Sequence, residues 1–169
     1  MTNYSTLSNL KRRLQGGHVL RYHTAPEVGA NQNVAAHTWR AMVILDTLWP
    51  DTPFSVFKDL LYHDIAEHQL GDLPATTKWK HKQLTNLYEA AELKELSSLG
   101  VAPNCPDKYI DRIKMSDMLE LVLHCYRQIQ LGNSLAEPVL KNGVDYLYDK
   151  FKDYSDFAPV NAILKELEK

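Results

Sequence analysis

The chain lacks most of the features that would take it away from an ordinary water-exposed globule. It has two cysteines in 169 residues, Cys105 and Cys125, far apart and in no Cys-x-x-Cys spacing. That excludes a thiolate metal knuckle and a disulfide-built scaffold, and it leaves both thiols reduced. No run approaches the roughly 20 apolar residues of a membrane span. The first nine residues are polar, with no stretch that could serve as a secretory signal. A formal net charge of −2 gives no bulk attraction to nucleic acid or to a membrane surface. No segment alternates with period two long enough for a sheet, and there is no repeat or low-complexity tract. These absences point to one cytoplasmic, all-α domain spanning residues 1–169, large enough for a single core.

What is present is helical periodicity. Leu7, Leu10 and Leu14 space a first helix from about Ser5 to Gln15, closed by Gly16-Gly17. His18 to Asn33 is an irregular, chemically dense loop. Asn33 can cap a second helix running to Leu48, with Val34, His37, Ala41 and Leu48 on its inner stripe. A third helix is expected from Phe54 to Gln69, with Val56, Leu60, His63 and Glu67 in one row and Phe57, Leu61, Asp64 and His68 in the next. Gly71 to Thr76 reads as a turn. A long helix from Thr77 to Leu99 should bury Leu84, Leu87, Tyr88, Ala91 and Leu96. The next, from Asp107 to Gln130, carries Ile110, Ile113, Asp117, Leu121 and His124 in one stripe. Two more, Leu135 to Phe151 and Ala158 to Lys169, complete the chain. Leu140, Val144, Leu147, Tyr148 and Phe151 make a stripe suited to the core or to a subunit contact.

Three of these helices put ionisable groups where apolar ones belong: His37, the pair His63-Asp64, and Asp117. Each alone has a plain structural explanation. Together they would leave charges in the core at a cost on the order of several kcal/mol unless something pairs with them. A shared divalent metal is such a partner. The donor set is nitrogen and oxygen without thiolate, which suits a catalytic site more than a structural one and accommodates Mn, Co, Fe, Zn or Mg. The nucleophile such a site implies is water.

In this order and on helices, His37, His63-Asp64 and Asp117 resemble the metal-binding signature of the HD-domain phosphohydrolase superfamily. The likeness extends to Arg21-Tyr22, to the run from His63 through Gly71-Asp72-Leu73-Pro74, to Lys78 and to Lys114-Met115-Ser116-Asp117. Over roughly residues 15–130 the chain resembles the bacterial 5′-deoxynucleotidases (YfbR-like) and the phage dATP triphosphohydrolases (DatZ-like). The resemblance implies a helical bundle with the metal site between core helices, and His37, His63, Asp64 and Asp117 as ligands. It makes Glu67 the residue that orients or deprotonates the attacking water, and Asp72 a proton donor to the leaving 5′ oxygen. Arg21, Lys78 and Lys114 match phosphate-contacting positions. Tyr22 stands where the family commonly has a Trp packed on the sugar. Thr24 and the loop from Gly29 to Gln32 are candidate base contacts. His23, His68, His81 and His124 read as structural or surface residues.

The implied activity is hydrolysis of a deoxynucleoside monophosphate to deoxynucleoside and phosphate. The alternative is a dATP or dNTP triphosphohydrolase with the same chemistry. A silent helical module that uses the metal only to hold its helices is the contrasting possibility; Arg21, Glu67, Lys78 and Lys114 would have no purpose in it. Gly-Asp-Leu-Pro replaces the Gly-Tyr-Pro of cyclic dinucleotide phosphodiesterases, and Glu67-His68 the Glu-Asp of alarmone hydrolases. The implied partner is a small deoxynucleotide rather than a nucleic-acid polymer, and the implied assembly is a homo-oligomer.

Overall fold

The computed structural model describes residues 6–22 and 26–168, and it is helical. Helix α1 (Thr6–Gly16) is followed by a loop and α2 (Val34–Leu48). Then come α3 (Phe54–Tyr62), the single turn α4 (Glu67–Leu70), α5 (Ala75–Lys80) and α6 (Lys82–Ser98). The longest helix, α7 (Ile110–Gln130), leads to α8 (Glu137–Phe151) and α9 (Ala158–Leu167), each entered through a short 3₁₀ turn. Among the described residues the one extended pairing is an isolated bridge between Leu20 and Asn33. No described helix is long and apolar enough to cross a membrane.

Helix α7 is the axis of the bundle, touching α2, α3, α8 and α9. Met115, Leu119 and Val122 of α7 meet Ala41 and Leu45 of α2, Val56 and Leu60 of α3, Leu147 and Phe151 of α8, and Val160 and Leu164 of α9 in one core. The stripe of α8 therefore closes the core. Gly143 lets α8 lie close, since a Cβ there would stand 3.0 Å from Val122 and 3.1 Å from Leu121. Arg112 clamps one end by bonding Asp51 and Asp156 at 2.8 and 2.6 Å.

Three expectations change. The helix expected to run to Gln69 ends at Tyr62. Beyond it the backbone tightens into i→i+3 bonds, Ile65 N to Tyr62 O and Glu67 N to Asp64 O, so the His63-Asp64 pair sits on a break between α3 and α4. The helix expected over Thr77–Leu99 is two, because His81 leaves helical geometry at φ −121° and ψ 70°. The buried face of α6 is also turned by one residue. Thr85 and Leu96 are buried and Tyr88 and Glu92 half-buried, whereas Leu84 and Leu87 face out. Helix α6 packs on α4 and α5, where carboxylates and Lys78 are concentrated, so its polar residues turn inward. Leu7, Leu10 and Leu14 are likewise exposed along α1.

Two local devices aim the later chemistry. The loop after α1 closes on itself through Arg21 N to Gln32 O (2.9 Å) and Val34 N to Val19 O (2.9 Å), and Asn33 caps α2 by accepting from Ala36 N. Gly16 meets the turn between α3 and α4 so closely that a Cβ would lie 2.6 Å from the Ile65 Cβ, 2.8 Å from its Cα and 2.9 Å from its carbonyl oxygen. Glycine is thus required there by close approach.

Candidate metal centre and cleft

His37 lies in the second turn of α2, His63 and Asp64 at the break after α3, and Asp117 in α7. Packing of α2 and α3 on α7 brings them together. His37 Nε2 is 3.0 Å from Asp117 Oδ1 and 3.5 Å from Asp64 Oδ2. His63 Nε2 is 3.2 Å from Asp64 Oδ2 and 3.7 Å from Asp117 Oδ1. Ligands held about 2.0–2.2 Å from one ion stand roughly 3.0–3.6 Å apart when adjacent, close to the 3.0–3.7 Å found. Donor atoms of His37, His63 and Asp117 all lie within 4.8 Å of one another. Asp64 joins them by its Oδ2, which also accepts from Arg21 Nη1 at 2.5 Å.

Both imidazoles are turned by their far nitrogens. His37 Nδ1 meets Glu120 Oε2 at 2.6 Å, and His63 Nδ1 meets the Leu60 carbonyl at 2.7 Å. That carbonyl belongs to the last turn of α3, where helical acceptors are left over. With Nδ1 donating, each Nε2 presents a lone pair inward, and neither Nε2 makes a hydrogen bond although both are buried. Buried, unsatisfied imidazole nitrogens facing two carboxylates are what a divalent cation fits.

The electrostatics agree. Burial alone would raise the Asp64 and Asp117 carboxyls, but the imidazoles outweigh it and hold both well below the usual range, with Arg21 adding to the effect on Asp64. Burial would lower the two imidazoles, yet the carboxylates push His63 well above its ordinary value and His37 above it.

Asp64 and Asp117 open onto a cleft lined also by Arg21, Tyr22, Glu67, Asp72, Lys78 and Trp79, with Leu73, Pro74, Met118, Leu121 and Val139 as an apolar wall. Glu67 is 2 % exposed and its Oε2 has no hydrogen-bond partner. Burial, then Asp64 and Asp72, push its carboxyl up to about 9. Burial opposes the Lys78 charge, but Asp64, Glu92 and Glu67 outweigh it. The Lys78 ammonium lies 5.4 Å from the centre of the Tyr88 ring, and Tyr88 Oη donates to the Gly71 carbonyl in the turn that carries Asp72. Gly71 itself holds φ 79°.

The structure thus brings His37, His63, Asp64, Asp117, Glu67, Asp72, Arg21, Tyr22 and Lys78 to one place. It does not bring Lys114, which is exposed and is not among the residues lining the cleft. Thr24 lies outside the described residues. The Gly29–Gln32 loop does not line the cleft either. Its Gln32 is buried and donates from Nε2 to Glu120 Oε1 at 2.7 Å, so this amide is committed inside the protein.

Four residues gain a role that the spacing did not suggest. Glu120 holds His37. Glu92, raised by burial to about 7, faces Lys78. His124 is buried, bonds Glu27 at 2.5 Å and lies flat under Tyr22, ring centres 4.8 Å apart and planes 3° from parallel. Tyr22 has a left-handed φ of 55°, which this stack and the neighbouring Arg21–Asp64 bond hold in place. The signal that could have found Glu120 is its place one turn beyond Asp117, between Leu119 and Leu121; the Glu27–His124 pair joins distant segments and left no local trace.

A family model described as HD domain matches residues 17–123, well over half the chain. No curated protein matches it. Among solved structures, the chain is similar to the cyanophage S-2L HD phosphohydrolase (DatZ) bound to dA and one catalytic Zn2+ ion. The TM-score is 0.74 at 20% identity, over 99% of this chain and 96% of that one.

Proposed function

Because the chain belongs to the HD domain family, we propose that it is a divalent-metal-dependent phosphohydrolase opening the 5′ phosphate ester of a deoxynucleotide at the α-phosphorus. The observation that carries this reading is the convergence of two inward imidazole nitrogens and two carboxylates beside a cleft that also holds Glu67, Arg21, Asp72 and Lys78. The similar phage enzyme is bound to dA and zinc, which supports both the metal and the substrate class. The ligands are His37, His63, Asp64 and Asp117, the whole chain acting as one domain.

A divalent ion held there would polarise the phosphoryl oxygens and acidify water. The remaining steps belong to the chain. Arg21 and Lys78 bring positive charge to the phosphate and neutralise what develops on it. Glu67 takes a proton from the attacking water as the new oxygen–phosphorus bond forms. Arg21 and Lys78 oppose the burial and the Asp64 and Asp72 charges that raise this carboxyl, and a divalent ion held at the ligands would add to them. As the bond from phosphorus to the 5′ oxygen breaks, Asp72 supplies that oxygen's proton, and deoxynucleoside and phosphate leave. Tyr22 walls the sugar.

A dATP or dNTP triphosphohydrolase would use the same steps and release triphosphate. The cation supply favours the shorter substrate: of the described residues lining the cleft, Arg21 and Lys78 are the cationic ones, and Arg21 already answers Asp64. Lys80 and Lys82 are exposed. A silent metal-braced module leaves the buried, unpartnered Glu67 oxygen without a reason. Incubating the purified protein with Co, Mn, Mg or Zn and each dNMP and dNTP tests the reading. Deoxynucleoside and phosphate from dNMPs are expected, and stepwise loss of phosphate from dNTPs would contradict both versions. The exposed leucines of α1 support a homo-oligomer, which light scattering checks.

A further inference from the structure

Behind the metal ligands lies a carboxylate that the proposed reaction does not use. Glu120 follows Asp117 by three residues on α7 and is 2 % exposed. Burying a carboxylate is costly unless donors surround it, and Glu120 has three. His37 Nδ1 is at 2.6 Å, Gln32 Nε2 at 2.7 Å, and Arg40 Nη1 at 3.5 Å. Among the described residues its shortest contact, and its only one on a residue reaching the metal centre, is with His37.

We propose that Glu120 is the positioning residue of the metal centre: it fixes the His37 ring with Nε2 toward Asp64 and Asp117 and sets how tightly the site holds a divalent cation. This rests on the metal-centre reading above. The imidazole of His37 is wholly buried, and among the described residues Glu120 is the one that meets Nδ1. Without an acceptor there, the ring could flip or carry its proton on Nε2, either of which removes a ligand. A carboxylate behind a ligating imidazole also makes the ring a stronger donor than a carbonyl does. His63, held by the Leu60 carbonyl, is the internal contrast. A buried anion serving only to satisfy the loop would need Gln32 and Arg40, but not a 2.6 Å contact on a ring whose other nitrogen faces two carboxylates.

Chelator competition with Zn(II) on the purified protein tests this. Glu120→Gln keeps an acceptor and loses the charge, and should weaken Zn(II) binding by roughly 10- to 100-fold. The visible spectrum of the Co(II)-loaded variant should shift, because an imidazole without a carboxylate behind it is a weaker donor to the ion. Gln32→Met removes a neighbouring donor without touching His37; it should lower thermal stability while leaving Zn(II) affinity and the Co(II) spectrum as in wild type. A folded Glu120→Gln protein with Zn(II) affinity within about threefold of wild type and an unchanged Co(II) spectrum overturns the assignment, since loop bracing alone would move only stability. If Glu120→Gln does not fold, Glu120→Asp carries the same test, with the charge kept and the reach shortened. Wild-type protein that binds neither ion, and so matches His63→Ala, overturns the metal centre itself and this inference with it.

Discussion

The two sides of the cleft are built on different terms. On the ion side three of the four donors have a partner behind them: Glu120 and the Leu60 carbonyl hold the imidazoles, and Arg21 holds Asp64. On the substrate side Asp72 and Lys78 sit on a turn and a six-residue helix, braced by Tyr88 through one hydrogen bond and one ring contact. The first arrangement costs burial and gives fixed distances; the second is cheap and adjustable. A catalyst built this way keeps its chemistry constant while its substrate preference can be altered by small changes in α5 and the loops.

The sharpest way to break the contrast is to remove one pinned donor. His63→Ala should reduce metal content, measured by mass spectrometry of the purified protein, to background and abolish hydrolysis; a variant with unchanged metal would sink the ligand assignment. Glu67→Ala sits at the boundary. Metal content should stay at the wild-type level while turnover falls by about 10²–10⁴, and loss of both together would make Glu67 a ligand instead. On the adjustable side, Lys78→Ala should act mainly through KM. A charged contact worth roughly 1.5–3 kcal/mol corresponds to about a 10- to 100-fold rise, and steady-state kinetics showing only a kcat effect would move Lys78 to the ion side. Smallest in activity is Gly16→Ala, which touches neither substrate nor metal. The added methyl meets the backbone of Ile65, next to Asp64. Overpacking of this kind costs about 1–3 kcal/mol, so thermal melting should fall by several degrees with a modest drop in metal affinity. An unchanged melting temperature would mean that the turn yields freely and is not pinned.

How much of this was legible in the sequence depended on whether a residue broke its own helix's pattern. His37, His63, Asp64 and Asp117 did so, and the structure brings them together. The all-α architecture was legible for the same reason. Helix phase explains the nearest miss. Successive residues turn by about 100°, so Lys114 lies roughly 60° to one side of Asp117 and Glu120 as far to the other. Asp117 stands at the edge of the buried face, which puts Lys114 in solvent and Glu120 in the core. Spacing by three made Lys114 look like a neighbour of the site, and packing gives that place to Glu120 instead. The breaks at Tyr62 and His81 were illegible because apolar and charged residues continue through both without glycine or proline. Leu84 and Leu87 misled because α6 packs on a polar neighbour, where hydrophobicity no longer marks the inside.

One consequence of α7 concerns length rather than chemistry. Asp117, Glu120, His124 and Gln128 descend one side of it and engage, in turn, His37, His37 with Gln32, Glu27 beneath Tyr22, and the Val28 backbone. The helix is a ruler laid against the loop from Pro26 to Gln32, with marks over about 16 Å. Any one mark can be changed by substitution with a local effect. Deleting or inserting a single residue between Asp117 and Gln128 would rotate every later mark by about 100° and slide it by about 1.5 Å. The Glu120 contact on His37, the His124 ring stacked on Tyr22 and the loop anchor would then fall out of register together. Variation in this helix is therefore confined to exchange of residues at constant length.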